Sequence, residues 1–174
     1  MIIRKGDLKD LNASVLIETS YTSDYVWQIR TEERPYEEIA VNFHSIRLPR
    51  SVRARPPRDT DCLVEDWQRG ECFLVAEEEG EIRGCLNMTV QPWHATGWIN
   101  DMAVPGKYRR QGIGSELLRN AFRWAREQGL RSVLLETQTK NHPAICFYRK
   151  HGFVFCGFKE PRDQDPTLFW CRRV

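Results

Sequence analysis

The chain has 174 residues, with 26 lysines and arginines against 24 aspartates and glutamates. This length suits one domain with a sizeable core, and a net charge of +2 does not indicate a protein that binds polyanions through its overall charge. The first residues lack the apolar stretch of a signal peptide, and no later run is long enough to cross a bilayer. We therefore expect a cytoplasmic protein without a membrane partner.

The six cysteines are scattered through apolar runs, and no pair has the spacing of metal ligands. Buried free thiols are expected, because a chain of this size can bury a core without disulfides. The four histidines are also isolated in the sequence. No metal site is expected.

The first half of the chain predicts one strand, one helix and a hairpin. Ile2 and Ile3 open a short strand, and residues 7–16 have helical apolar spacing behind an aspartate cap. Residues 25–34 and 38–48 alternate β-branched or aromatic residues with polar ones, which predicts the two strands of a hairpin. Residues 50–61 are rich in arginine and proline, which predicts an irregular exposed connection.

The second half begins with strands and continues into an amphipathic helix. Residues 72–76 and 82–90 predict a second hairpin, and residues 98–104 predict another strand. Between Gly114 and Gly129, apolar residues recur at spacings of three and four, which defines a helix with one apolar stripe.

The end of the chain completes an α/β pattern. Residues 133–135 form an apolar run typical of a strand covered on both faces, and residues 143–150 suit a helix. Residues 153–158 and 168–171 suit two more strands. This order of elements predicts one mixed sheet with helices on its faces.

Residues 109–114, which read RRQGIG, join the strand ending at Val104 to the amphipathic helix. Gly112 and Gly114 lack side chains where a ligand must approach the backbone, while free amides and the helix dipole favour an anion. Further positive charge comes from Lys107, Arg109 and Arg110. The pattern predicts a diphosphate site, although a glycine pair before a helix is also typical of a simple tight turn.

Separate motifs resemble the GNAT superfamily of N-acetyltransferases. RRQGIG matches the family pattern Arg/Gln-x-x-Gly-x-Gly/Ala, and residues 141–153, NHPAICFYRKHGF, are similar to its second signature. Residues 135–138, LETQ, are similar to the streptothricin-type antibiotic acetyltransferases within the superfamily. The resemblance is firm over residues 99–158 and loose over the first half of the chain.

The resemblance implies a single GNAT-like α/β domain over residues 1–174. Its mixed central sheet would have parallel strands, 98–104 and 132–138, that splay apart around coenzyme A, with helices on both faces. Residues 1–70 would form a variable acceptor-side half and residues 71–174 the coenzyme A-binding core. Acetyl-CoA would be the co-substrate. The implied coenzyme-binding residues are Met102, Ala103, Val104, Arg109, Arg110, Gln111, Gly112, Ile113, Gly114, Ser115, Asn141, Ala144 and Phe147. An asparagine just before a helix is as often a cap, and Asn141 can serve in both ways.

The resemblance also implies that Tyr148 is the general acid of the reaction. A free phenol has a pKa of about 10 and a thiol one of about 8.5, so the phenol can protonate a departing thiolate. The alternative for Tyr148 is a packed aromatic side chain beside Phe147.

The general base is left open between two carboxylates. Asp101, in the strand lining the cleft, is the first candidate, and Glu136 on the adjacent strand is the second. Strand alternation predicts that Asn100 and Asp101 face opposite sides of the sheet, so that only one of them points at substrate. His94, between strands, is expected to be an exposed loop residue.

The expected activity is transfer of acetyl from acetyl-CoA to a primary amine of a small molecule, with streptothricin-type antibiotics as the first acceptors to consider. Acetylation of a protein or an RNA-associated amine, and coenzyme binding without chemistry, stay open as alternatives. Carboxylates at Glu32, Glu33, Glu37 and Glu38 would attract a polyamine, whereas the basic segment over residues 47–58 would repel it. Nucleic acid is not expected as the main partner, and a homodimer is left open.

Overall fold

The computed structural model describes residues 1–56, 60–160 and 165–174. The elements in chain order are β1 (Ile2–Lys5), α1 (Leu8–Val15), β2 (Tyr21–Arg34), β3 (Glu38–Ala54), α2 (Thr60–Gln68), β4 (Cys72–Glu78), β5 (Glu81–Gln91), β6 (Thr96–Ala103), α3 (Ile113–Glu127), β7 (Ser132–Gln138), α4 (His142–Lys150), β8 (Val154–Lys159) and β9 (Thr167–Arg173). Both hairpins and the strand–helix alternation expected after β6 are confirmed.

One sheet organises the domain. Its seven strands lie in the order β1-β4-β5-β6-β7-β9-β8, while β2 and β3 form a separate two-stranded sheet. The pair β6–β7 is parallel, and its register runs from Thr96↔Ser132 to Ile99↔Leu135. Both strands continue beyond that last pair, β6 to Ala103 and β7 to Gln138. The two strands therefore separate at their carboxyl ends, and the splayed pair is confirmed.

Helices cover both faces of the sheet, as the sequence predicts. On one face, the apolar stripe of α3 packs into the main core together with Ile145 of α4. On the other face, Leu11 of α1 and Leu63 of α2 pack against Phe73 and Cys85 of the sheet. We call these the α3 side and the α2 side. Every part of the candidate site lies on one of these two sides or between them.

The hairpin β2–β3 is longer than the sequence predicts. The irregular connection expected from residue 50 is wrong for residues 50–54, because β3 continues to Ala54. Ser23 pairs with Val52 and Tyr25 with Arg47, so a bulge separates these pairs. Pro49 falls in this bulge, where a residue without an amide proton removes no ladder hydrogen bond. Residues 57–59 lie outside the described residues, and α2, which begins at Thr60, was not expected.

Most of the six cysteines are not buried. Cys72 and Cys85 are buried, whereas Cys171 is half-buried and the remaining three, Cys62, Cys146 and Cys156, are exposed. The expectation of buried thiols is wrong for the exposed three because they lie on outer faces of α2 and α4 and on β8, the edge strand of the sheet. Over the described ranges, no helix is both long and apolar enough to cross a membrane.

Candidate active site

The opening between β6 and β7 is bordered by the turn before α3 and by α4. Asn141 caps α4, because its Oδ1 accepts a hydrogen bond from the amide of Ala144 at 3.2 Å. The cap fixes where α4 begins and therefore where Phe147 and Tyr148, in its next turn, lie. The capping role expected of Asn141 is confirmed, and its contact with the coenzyme stays a prediction.

The two glycines of the turn do different things. Gly112 has φ 86° and is the N-cap of α3, with no side-chain cap. A Cβ added there would meet nothing within 4 Å, so the space in front of the first helix amides is open. At Gly114, a Cβ would lie 2.8 Å from Met102 Cε and 3.1 Å from Phe147 Cζ. Gly112 therefore leaves room for an anion, and Gly114 lets α3, β6 and α4 approach one another.

The backbone of residues 102–104 borders the opening. The Met102 side chain packs on the main core of the α3 side, and Ala103 belongs to the core of the α2 side. Since pairing with β7 ends at Ile99, this edge of β6 is not bonded to β7. The edge can therefore bind an extended ligand as an added strand would bind.

The cations of the turn are not equivalent. The guanidinium of Arg109 donates to three backbone carbonyls, those of Val104 at 2.9 Å, Ser20 at 2.7 Å and Glu18 at 3.2 Å. Lys107 forms an ion pair with Glu81 at 2.8 Å. Within the described chain, Arg110 has no ion-pair partner and is exposed. Arg109 thus joins the turn to the segment before β2, and Arg110 is the cation most available to a bound phosphate.

The remaining residues of the turn and the first turn of α3 are held from within the protein. Gln111 Nε2 donates to the carbonyl of Lys107 at 3.1 Å, and the Ile113 side chain is buried in the main core. Ser115 Oγ lies 2.9 Å from Nε2 of His151, at the end of α4. These contacts leave the backbone amides of the helix start, rather than the side chains, as the main donors to a ligand.

Tyr148 combines a packed ring with a protonated hydroxyl. The ring makes edge contacts with Phe147, at a centroid distance of 5.4 Å, and with Phe153, at 5.6 Å. Burial raises the pKa of Tyr148 above its usual range, and the negative charge of Asp101 raises it further. The hydroxyl makes no hydrogen bond to any described residue. The packing role and the acid role are therefore compatible, and the phenol stays protonated at neutral pH.

A bulge interrupts β6 beside the opening. The pairs on either side of it are Asn87↔Asp101 and Met88↔Ile99. Asn100 is the extra residue between them. A bulge places two residues of one strand opposite one residue of its neighbour and locally breaks the alternation of side chains.

Because of this bulge, the side chains of Asn100 and Asp101 both lie on the α2 side of the sheet. Asn100 Nδ2 donates to Oδ2 of Asp66, on α2, at 2.8 Å. The Asp101 carboxylate lies 4.0 Å from Sγ of Cys85, which belongs to the α2-side core. The expectation that the two side chains face opposite sides of the sheet is wrong, since it assumed an unbroken strand.

Asp66 is a functional candidate that the sequence did not reveal. The residue is 7% exposed, and Oδ2 also accepts from Asn87 Nδ2 at 2.6 Å. It was missed because α2 was not expected. Leu63 and Trp67, four residues apart, are the signal that could have placed a helix there with Asp66 near its inner face.

Glu136, the second candidate base, lies on β7 near the point where β6 and β7 separate. It is exposed and its Oε1 accepts from Thr167 Oγ1 at 2.5 Å. Leu135 is buried in the core on the α3 side, so strand alternation directs Glu136 to the α2 side. Both candidate bases therefore lie on the α2 side, whereas Tyr148 packs against the α3-side core.

A cavity of about 570 Å³ opens on the α2 side and is lined by Gln91, His94, Thr96, Trp98, Asn100 and Leu134. The cavity reaches Asn100, the residue that follows the last β6–β7 pair. Among the residues that the structure describes, no lysine or arginine lines this cavity. His94 lies in the exposed turn Pro92–His94, as expected of a loop residue.

A splayed parallel pair with an open helix start at its mouth is the arrangement of an α/β fold that holds an anionic ligand in its cleft. The family model described as Acetyltransferase (GNAT) family matches residues 26–153. The chain therefore belongs to the GNAT acetyltransferase family.

The curated relatives include antibiotic acetyltransferases. The chain is 36% identical over 106 residues to a streptothricin acetyltransferase of Streptomyces lavendulae, covering 58% of this chain and 56% of the relative. It is 42% identical over 84 residues to streptothricin acetyltransferase A of Bacillus subtilis, covering 45% of this chain and 49% of the relative. The chain thus spans about half the length of these relatives.

Solved structures share the fold over the whole chain. A nourseothricin acetyltransferase superposes with a TM-score of 0.80 at 21% identity, covering 99% of this chain and 97% of that one. A protein of Bacillus anthracis described as a streptothricin acetyltransferase, solved with acetyl coenzyme A, superposes with a TM-score of 0.75 at 23% identity and the same coverage.

Proposed function

We propose that the protein transfers an acetyl group from acetyl-CoA to a primary amine of a small molecule. One observation carries this proposal: the opening between β6 and β7 has an uncapped helix start on the α3 side, and a cavity on the α2 side extends to its edge at Asn100. An anionic donor and an amine acceptor can therefore reach the same point from opposite sides of the sheet.

On the coenzyme side, the amides at the start of α3 and the charge of Arg110 would bind the diphosphate. The free edge of residues 102–104 would bind the pantetheine arm, with a backbone amide polarising the thioester oxygen. Asn141 and Ala144, at the start of α4, would contact the same arm. The open space at Gly112 and the close packing at Gly114 support this arrangement.

The chemistry then needs few groups. The neutral amine attacks the thioester carbonyl, a C–N bond forms, the C–S bond breaks, and Tyr148 protonates the departing thiolate. The proton that the amine loses goes to a base on the α2 side. Asp101 is our first candidate for this base and Glu136, directly or through water, is the second. The raised pKa of Tyr148 supports its role as a proton donor.

The acceptor that we propose is a cationic antibiotic of the streptothricin type. Two observations support this acceptor. The relatives include streptothricin acetyltransferases, and two carboxylates, Asp101 and Glu136, lie on the side of the sheet where the cavity opens. Of the basic segment, Arg53, on β3, donates to Ser20 Oγ at 3.3 Å and is not among the described residues that line the cavity. Arg58 lies outside the described residues.

The other predicted carboxylates do not add to this support. Glu32, Glu33, Glu37 and Glu38 lie at the exposed free end of the hairpin, beyond Ile29 and Phe43, which pack on the core. Cytoplasmic location and homodimer formation stay predictions.

The test is incubation of the purified protein with acetyl-CoA and streptothricin, beside a panel of other primary amines. Thiol release should match the acetylated product seen by mass spectrometry. Acetylation of another amine but not of streptothricin would reject the proposed acceptor and keep the acetyltransferase. Tight coenzyme binding without turnover of any amine would instead favour a coenzyme-binding module.

A further inference from the structure

Asn100 stands where the cavity meets the splayed strands, and its amide is held in one orientation. Nδ2 donates to Asp66 Oδ2 at 2.8 Å and to Thr89 Oγ1 at 3.0 Å. A primary amide nitrogen carries two protons, so both are used inside the protein. The amide oxygen remains as an acceptor on an exposed side chain that lines the cavity.

The orientation of this amide follows from the chemistry of its partner. An ionised carboxylate only accepts hydrogen bonds, so the group facing Asp66 must be the NH₂ and not the oxygen. Asp66 itself is held by Asn87 Nδ2 at 2.6 Å and lies 3.6 Å from the guanidinium of Arg69. If this carboxylate turned away, the buried amide of Asn87 would be left unpaired.

We infer that Oδ1 of Asn100 accepts an N–H from the acceptor amine, and that Asp66 is the positioning residue that aims it. This inference rests on the proposed acetyltransferase activity. The hydrogen bond would hold the nitrogen beside the end of the β6–β7 pairing, where the thioester would lie. The bulge that brings Asn100 and Asp101 to the same side gives the amine an oriented acceptor and a neighbouring carboxylate together.

The surroundings define the chemical class of the acceptor. An amide oxygen and two carboxylates, Asp101 and Glu136, on one side disfavour an anionic acceptor and favour an amine or an ammonium group. Trp98 and Leu134 give the same cavity an apolar wall, and the Trp98 ring contacts Phe169 edge-on at 5.9 Å. The expected substrate is therefore a primary amine attached to a body that can pack against an indole ring.

The experiment compares Asn100→Leu, Asp66→Asn and the double variant with the parent protein, using streptothricin as acceptor. Asn100→Leu replaces the amide by an apolar group with the same branching and number of heavy atoms, and it should raise the acceptor KM about ten- to a hundredfold while coenzyme affinity stays unchanged. Asp66→Asn should raise the KM by a smaller factor, because its amide lets Asn100 turn over. If Asp66 acts through Asn100, the double variant should be no worse than Asn100→Leu alone.

The matched control is Asn42→Leu, an exposed strand asparagine on the separate β2–β3 sheet, which should keep the parent KM. An unchanged acceptor KM in folded Asn100→Leu, or effects of the two single variants that multiply in the double variant, would overturn the inference. Where Asn100→Leu fails to fold or loses coenzyme affinity, Asn100→Ala makes the same comparison, since it only removes atoms from an exposed side chain.

Measurements on the parent protein distinguish a failure of this inference from a failure of the proposed acetyltransferase activity. If the parent acetylates a different amine of the panel, that amine serves as the acceptor in every comparison. If the parent binds coenzyme and acetylates no amine, the proposed function fails and the inference fails with it. If the parent is active and Asn100→Leu matches it, the inference alone fails.

Discussion

The two sides of β6 are built by different means. On the α3 side, the candidate coenzyme site consists of backbone: free amides after Gly112, a free strand edge and a close approach at Gly114. On the α2 side, the candidate acceptor site consists of side chains held by other side chains, with Asp66 and Asn100 at its centre. A backbone site changes little when neighbouring side chains change, whereas a side-chain site can be rebuilt by a few substitutions. The difference suits a fixed donor and a variable acceptor.

Gly112→Trp should abolish coenzyme binding and leave the candidate acceptor site unchanged. Of the four variants in this section, it should have the largest effect. The indole would occupy the open space before α3, so coenzyme A at about a hundred times its dissociation constant should no longer add about 2.7 kcal/mol of stability. Gly129→Trp is the matched control, because Gly129 also has a positive φ and no atom within 4 Å of an added Cβ. Calorimetric coenzyme affinity preserved in folded Gly112→Trp would remove the phosphate site from this turn.

Tyr148→Phe tests the proposed proton donor, which lies between the candidate coenzyme site and the candidate acceptor site. The variant keeps the packed ring and deletes the proton donor, so the single-turnover rate should fall about a hundredfold at unchanged coenzyme affinity. Tyr25→Phe, whose ring stacks on His142 at 4.7 Å, should keep the parent rate. Equal rates for Tyr148→Phe and the parent would leave Tyr148 with packing only.

Arg109→Met tests the contact that joins the coenzyme turn to the segment before the hairpin. Loss of three hydrogen bonds to carbonyls should lower the free energy of unfolding by about 2 kcal/mol and weaken coenzyme binding as well. Urea titration with and without coenzyme measures both effects. Arg119→Met, which removes an exposed ion pair with Glu116 on α3, should have much less effect on either. Similar losses in the two variants would contradict the joining role.

Asp101→Asn should act on the acceptor side, with the smallest effect of the four. Coenzyme affinity should persist, while the acceptor KM rises about tenfold and the rate needs higher pH because the candidate base is lost. The negative charge of Asp101 raises the pKa of Tyr148, so removing it should lower that pKa, although burial still holds it above its usual range. Phenolate absorbance, taken as the difference from the same protein carrying Tyr148→Phe, measures the shift. An unmoved titration would mean that the two groups do not interact.

The local structure around the candidate coenzyme site could be predicted from the sequence, because each of its elements is encoded by residues close together in the chain. The stripe of α3, the turn at Gly112 and the cap at Asn141 each depend on neighbours within a few positions. The splayed strands followed from the family resemblance rather than from any local pattern. Where a structural feature is encoded in consecutive residues, expectation and structure agree.

The candidate acceptor site on the α2 side could not be predicted to the same depth, because the residues that determine it are distant from one another in the chain. The bulge at Asn100 leaves no signature in the sequence, and the partner that orients Asn100 is Asp66, 34 residues away. Strand β3 was expected to end before Pro49 because the bulge that accommodates a proline is formed jointly with β2. Pairings of this kind are set when the elements pack together.

The three hydrogen bonds of Arg109 limit how this fold can be recombined. The guanidinium ties the loop that follows β6 to the residue just before the hairpin, 89 positions earlier in the sequence. Because Arg109 donates to backbone carbonyls, a chimera that takes its hairpin from a relative with another acceptor must keep the arginine at position 109 and the backbone path from Glu18 to Ser20, whereas the side chains of that segment can change. The hairpin therefore cannot be exchanged at an arbitrary position in the segment before it. Chimeras joined after Ser20 should fold more often than chimeras joined before it.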